Sequence, residues 1–360
     1  MLRSSGKSSR FALYSWFVLA YNLLVILWGA VVRATGSGAG CGEHWPLCQG
    51  VVIPHGAEIA TIIEFAHRAS SGVAVVLVMG LVYLAFRGFM AGHTARRYAV
   101  AALCFTLTEG LIGAGLVLFG WTGTNTSLAR FVLLAIHLAN TFMLLASLAL
   151  TARAATLSEA DRLESALPHA VTGGEASISK RQLAYGLALV GTLALAITGA
   201  VAALADTLFP SASLAQGLSR DFSSTSGYLL RLRIIHPILA VLVGLLLLAL
   251  ATGAWADPES PAARRAARGL FILVILQAIL GGFNLILLAP VPVQVLHLLV
   301  ADLVWIALVL LSAEVLQGRR AEEPQTSGTP VRLTAGRIRP TAASVWDRRA
   351  ASAATLHNER

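Results

Sequence analysis

Apolar and polar positions along the chain fall into long blocks rather than short alternations. Eight apolar runs, at residues 11–33, 61–86, 98–119, 128–152, 182–204, 231–255, 269–289 and 293–316, are separated by more polar segments of varied length. Each is close to the ~20 residues that an α-helix needs to cross a bilayer. The runs lack the period-two alternation of barrel strands, and only helices and closed barrels satisfy their backbone polar groups in lipid. The pattern predicts an all-α integral membrane protein with eight transmembrane helices.

Composition and charge sharpen this picture. Of 360 residues, 56% are hydrophobic and 12% charged, too little polar surface for a soluble protein. The net charge of +9 does not point to nucleic acid, because the basic residues gather at alternate helix ends: Arg3, Lys7 and Arg10; Arg87, Arg96 and Arg97; Arg153, Arg162, Lys180 and Arg181; Arg264, Arg265 and Arg268; Arg319 and Arg320. That positive-inside pattern predicts a multi-pass protein with both termini cytoplasmic. The first run is long for a signal peptide and no small-x-small site follows it, so an uncleaved first helix is expected. With no transit peptide, a bacterial plasma membrane is the expected location.

The second half of the membrane region echoes the first. "WGAVVRATGSG" in run 1 pairs with "ITGAVAALADT" in run 5, and "EFAHRASSGVAVVLV" in run 2 with "RIIHPILAVLVGLLL" in run 6. "TEGLIGAGLVLFGWTG" in run 3 pairs with "LQAILGGFNLILLAPV" in run 7, and "LLAIHLANTFMLLASLAL" in run 4 with "VQVLHLLVADLVWIALVLL" in run 8. The expected organisation is a cytoplasmic N-terminus (1–10), a first four-helix bundle (11–152) with an external loop at 34–60, a cytoplasmic linker (153–181), a second, pseudo-symmetric four-helix bundle (182–316) and a mobile cytoplasmic tail (317–360).

The repeat gives each bundle two intramembrane histidines, His67 and His137, then His236 and His297, each near the start of an even-numbered run. All four rings are expected in the outer half of the bilayer, ~10 Å below the surface at 1.5 Å rise per residue. Facing histidine pairs suit axial ligation of haem iron, with the porphyrin filling the apolar bundle core. The bland alternative is four hydrogen-bonded core histidines. A di-iron carboxylate site, suggested by the Glu-x-x-His of "EFAH", needs a second such motif, but the repeat mate of Glu64 is Arg233. Zinc lacks a third ligand.

Glu64 and His67 share a helix face. A carboxylate there can orient the imidazole, move protons or stabilise positive charge at the haem edge. The exchange of Glu64 for Arg233 between repeats suggests chemistry in one bundle and a permanent cofactor in the other. Arg68, Arg130, Arg231 and Arg233 lie on the outer side, as partners for haem propionates or as snorkelling helix anchors. Glu109 and Asp302 are also intramembrane, as parts of a proton path or as polar groups satisfied between helices. Cys41 and Cys48 stand in the external loop "GCGEHWPLC", where oxidising conditions make a disulfide plausible, either structural or redox-active. Cys104 reads as an apolar filler.

These motifs resemble the haem A synthase family. "VVRATGSGAGCGEHWPLC", "IEFAHR", "IHLAN", "IHPILA" and "LHLLVADLVW" carry the resemblance, which covers about residues 11–316. It implies two pseudo-symmetric four-helix bundles and oxidation of a haem O methyl to a formyl by successive hydroxylations. It assigns His67 and His137 to the substrate haem, His236 and His297 to a haem b cofactor, and an essential role to Glu64. Cys41 and Cys48 match the paired loop cysteines of one branch of the family. Implied partners are haem O, a haem O synthase, cytochrome oxidase assembly proteins and membrane lipid. A di-haem b electron-transfer cytochrome and a non-catalytic haem carrier are the competing readings. The loop before residue 230 has no assigned role.

Overall fold

A computed structural model of the chain describes residues 4–55, 58–157, 179–223, 227–256 and 261–318. Residues 158–178 of the expected linker and 319–360 of the expected tail lie outside the described residues. The helices are α1 (Ser4–Ala34), α2 (Ile59–Gly88), α3 (Thr94–Leu118), α4 (Leu128–Thr156), α5 (Lys180–Leu208), α6 (Leu214–Phe222), α7 (Tyr228–Leu232), α8 (Ile235–Trp255), α9 (Pro261–Ile286) and α10 (Val291–Gly318). Among the described residues, eight helical spans are long and apolar enough to cross a membrane: α1 to α5, the stretch Leu230–Trp255, α9 and α10. The protein is a multi-pass, all-helical membrane protein.

The spans match the apolar runs to within a few residues, with one informative exception. The seventh begins at Pro261 rather than residue 269. Proline suits the first helical position, and the Ala- and Arg-rich turns that follow propagate a helix well outside any apolar run. The starts of α4, α5 and α6 are capped by serine. The Ser127 and Ser213 side chains accept from Arg130 N and Gln216 N, and Ser179 with Gln182 forms a capping box ahead of α5.

Buried hydroxyls inside the helices are satisfied locally. Ser15, Thr106, Ser147, Thr151, Thr192 and Ser312 each donate to the carbonyl four residues earlier. Alanines such as Ala95, Ala99, Ala102 and Ala149 are completely buried, so neighbouring helix backbones approach closely. Large apolar side chains such as Leu13, Leu24, Val76 and Ile272 point outward with more than 60% exposure. On a soluble protein these would be a liability; here they form the lipid face. Cys104, expected as a filler, is instead on the exposed face of α3.

Helices α1 to α4 enclose one apolar cluster around Val18, Leu81, Phe142 and Leu145. A second, around Leu247, Leu270, Leu308 and Leu311, is enclosed by α5, α8, α9 and α10. Helix α10 serves both, because Trp305, Ile306 and Val309 pack into the first cluster. Trp305 Nε1 donates to Phe142 O at 2.7 Å, with ring centroids 5.1 Å apart. At one end Arg33 of α1 donates to Ala203 O (2.8 Å), Thr207 Oγ1 (3.1 Å) and Gln294 Oε1 (3.0 Å), reaching both α5 and α10. At the other end Arg153 of α4 pairs with Glu314 of α10 at 2.7 Å. The two sets of helices are thus joined at both ends and in the middle.

Candidate haem-binding site

In the first set of helices the loop after α1 folds down onto the start of α2. Gly40 makes this possible: a Cβ there would lie 2.5 Å from Ala60 C, so only glycine allows the backbones to touch. Thr61 Oγ1 donates to Gly40 O at 2.7 Å, and Gln49 Nε2 donates to the same carbonyl at 3.1 Å. The next residue, Cys41, presents its amide to Glu64 Oε2 at 2.8 Å. Glu64 Oε1 takes Arg68 at 2.6 Å, one helical turn on. Arg68 in turn donates to His44 O (2.5 Å) and Leu47 O (2.7 Å). Cys41 and Cys48 form a disulfide with a Cα–Cα distance of 4.5 Å. Glu64, only 3% exposed, is therefore the point where the disulfide loop is fastened to α2.

His67 follows on the same helix face. Its ring rests on Gly29 of α1, where a Cβ would meet Cε1 at 2.9 Å. His137 of α4 lies within electrostatic reach of His67. Its Nδ1 is 3.4 Å from Glu109 Oε1, an ion-pair distance. Glu109 is held by α4 itself, through Asn140 Nδ2 and Thr141 Oγ1. Asn140 is fixed by a second bond to Phe105 O at 2.8 Å and accepts from Thr108 at 2.6 Å. Of the residues read from sequence, Glu64, His67, Arg68, Cys41 and Cys48 come together here, and His137 stands opposite them with Glu109.

One of these contacts recurs at a matched position of the second set. His236 rests on Gly199 of α5, where a Cβ would meet Cε1 at 2.8 Å. Gly29 and Gly199 occupy the same place in "WGAVVR" and "TGAVAA". His236 Nδ1 faces Leu195 O and Thr198 Oγ1, both at 3.2 Å. His297 lies within electrostatic reach of His236, and its Cε1 would be 3.3 Å from a Cβ on Gly281. Gln277, the mate of Glu109, approaches His297 Nε2 at 3.2 Å.

Arg233, the mate of Glu64, does a related job with the opposite charge. It pairs with Asp206 at the end of α5 and with Asp221 of α6, each at 2.6 Å. This ties α6, the short helix in the loop that the sequence left without a role, to the transmembrane helices. Asp206 and Asp221 were not singled out from sequence; the only signal was their spacing from an otherwise unpaired intramembrane arginine. Arg130 donates to Gly123 O (2.8 Å) and Asn125 O (2.6 Å), which orders the α3–α4 loop, while its Nε has no partner. Arg231 is exposed. Asp302 is completely buried, and neither carboxyl oxygen has a hydrogen-bond partner. Its spacing puts it on the α10 face of Trp305, Ile306 and Val309.

Residues 12–309 match the family model of the COX15–CtaA proteins, described as cytochrome oxidase assembly proteins. The chain belongs to this family. A Thermus thermophilus protein named protoheme IX farnesyltransferase is 46% identical over 309 residues, covering 86% of this chain and 49% of that relative. The chain thus spans about half the length of the Thermus relatives it matches. Proteins named heme A synthase are 41% identical over 111 residues in Alkalihalophilus pseudofirmus and 42% identical over 127 residues in Halalkalibacterium halodurans. The first match covers 31% of this chain and 37% of the relative, the second 35% and 42%.

The side chains of this COX15–CtaA protein fit haem. Nδ1 of His67, His137 and His297 is buried without a hydrogen bond, an arrangement that costs free energy unless something else meets the ring. His236 has Nδ1 turned to Leu195 O and Thr198 Oγ1, which leaves Nε2 for iron, whereas in His297 it is Nε2 that faces Gln277 and Nδ1 that is unpartnered. Glycine beneath three of the rings lets each stand tight against a neighbouring helix.

Proposed function

We propose that the protein is a haem A synthase, oxidising the methyl group of haem O to a formyl group by successive hydroxylations. His67 and His137 would hold the substrate haem in the first four-helix bundle, and His236 and His297 a haem b cofactor in the second, pseudo-symmetric one. Haem b would relay electrons between the substrate and an external redox partner. The observation that carries this reading is the repeated histidine-on-glycine packing, His67 on Gly29 and His236 on Gly199. Partial matches to proteins named heme A synthase support it.

The residues of the chain set the remaining terms. Were His67 and His137 both to hold the substrate iron, O2 would need one of them to leave. Were both to stay, water would supply the oxygen, and each hydroxylation would release two protons and two electrons, the electrons leaving through haem b to an external acceptor. Glu64 has a donor on each oxygen, Arg68 on one and the Cys41 amide on the other. A carboxylate so fixed suits stabilisation of positive charge developing at the methyl more than carriage of a proton away. Of the four outer arginines, Arg130 and Arg231 retain capacity for a propionate, whereas Arg68 and Arg233 are engaged by the chain. The disulfide loop covers the start of α2 and limits access from that side.

The location that fits is a bacterial plasma membrane with both termini cytoplasmic. Basic residues cluster opposite the disulfide loop, and the relatives come from bacteria. Half of the Thermus relative lies outside the match, and its name describes protohaem farnesylation. That supports a partnership in which a haem O synthase hands its apolar product to this protein inside the membrane. The family description supports cytochrome oxidase assembly proteins as recipients.

Acid-acetone extraction of the purified protein, with haems identified by mass, tests the reading. Haem b with haem O, haem A or a hydroxylated intermediate is expected. Haem b alone, from a host that makes haem O, would make the protein a di-haem electron-transfer cytochrome instead.

A further inference from the structure

We infer that Glu109 is a positioning residue that sets the electronic character of the first haem site and distinguishes it from the second. The inference rests on the reading of His67 and His137 as axial ligands.

Glu109 Oε1 stands 3.4 Å from His137 Nδ1, on the side of the ring away from Nε2. A carboxylate at that distance acts on the ring through its charge and makes the imidazole a stronger donor to iron, which favours the oxidised metal. The second site has a neutral amide at the matched sequence position, Gln277, and it approaches His297 at Nε2 rather than Nδ1.

The surroundings differ in the same sense. A carboxylate inside a membrane needs hydrogen-bond donors or a cation. In the first set Asn140 and Thr141 supply donors, and Thr108 braces Asn140 at 2.6 Å. The matched residues of the second set are Val300, Ala301 and Leu276, none of which has a side-chain donor. Four positions on two helices therefore change together, from a cradle for an anion to an apolar wall. A role limited to joining α3 to α4 would be met by glutamine as well as glutamate, and would not call for the carboxylate to sit beside a histidine nitrogen. The consequence is a lower potential in the first site than in the second, the order in which electrons run from substrate to cofactor.

The test uses the full chain in detergent, reconstituted with protohaem at both sites. Midpoint potentials are titrated optically and by EPR, and each is assigned to its site with the H67A and H236A variants. E109Q is expected to raise the first-site potential by at least tenfold in the one-electron equilibrium constant, about 59 mV, and to leave the second unchanged. E109D, which keeps the charge, should remain within threefold of the parent. An unchanged first-site potential in haem-loaded E109Q overturns the inference. So does loss of first-site haem from both variants, since a tuning residue is dispensable for occupancy. Because protohaem is the probe, the outcome is independent of haem O: the synthase reading fails on haem identity, this inference on potential.

Discussion

The Cys41 amide donates to Glu64 Oε2 at 2.8 Å, so the acid that the sequence places one helical turn before His67 is also the acid that holds the disulfide loop. Glu64 binds Arg68 with its other oxygen, and Arg68 binds two loop carbonyls. Chemistry and loop anchoring meet in one side chain, and a variant can separate them.

Glutamine at position 64 keeps an oxygen for the Cys41 amide and removes the charge. E64Q is expected to retain both haems and to lower formyl formation roughly 10²-fold or more, the usual scale for losing a placed charge at a reacting centre. Haem content and product are both read by extraction and mass. Loss of haem together with activity would make Glu64 a structural residue.

The disulfide closes a short loop, with a sequence separation of 7. The chain-entropy relation gives about 2.5 kcal/mol for a loop of that size. Arg68, Glu64, Thr61 and Gln49 hold the loop independently of the sulfurs. C41S/C48S is therefore expected to lose thermal stability, read by a melting curve in detergent, and to keep activity within about threefold under oxidising conditions. A much deeper loss of activity with the melting curve unchanged would assign the sulfurs a redox role.

Gly29 and Gly199 sit under His67 and His236 with no room for a methyl group. The obstructed atom is in each case the far end of a ring, so the ring moves rather than the helix. G29A should lower haem occupancy of the first site alone, and G199A that of the second alone, each several-fold and with the folded fraction preserved. Haem-to-protein ratios from pyridine haemochrome spectra, with haems separated by type, read this directly. Equal loss of both haems in either variant would contradict site-specific packing.

Arg233 neutralises two carboxylates at once, Asp206 and Asp221. R233A leaves them facing each other with only Arg33, which reaches Asp206 electrostatically, as a cation. With Arg233 15% exposed, and Asp206 and Asp221 28% and 9%, solvent screens part of the loss, and a cost of roughly 1–3 kcal/mol is expected. It should fall on the docking of α6. Limited proteolysis should then cut near residues 210–223 faster than in the parent, and D206N/D221N/R233M should recover much of the resistance. Unchanged cleavage in R233A would show that α6 is held by other contacts.

Much of this was legible before any coordinates. The eight spans followed from apolar run length, because a segment in lipid must close its own backbone hydrogen bonds, a requirement local to the segment. The four histidines were found through the repeat, which compares positions within one chain. The seventh span was misjudged at its start because helix propensity, not hydropathy, decides where a helix outside the bilayer begins. Which partner satisfies each buried charge was beyond sequence. Arg33 finds Gln294 across 261 residues, Glu64 finds an amide in a loop, and Arg233 finds two aspartates on different helices. A charge in a low-dielectric interior is costly unless paired or hydrogen-bonded, so the sequence dictates that Arg33, Glu64 and Arg233 each need a partner. Its identity depends on which helix ends pack side by side and how the loops fold over them, and that is settled only by the tertiary structure.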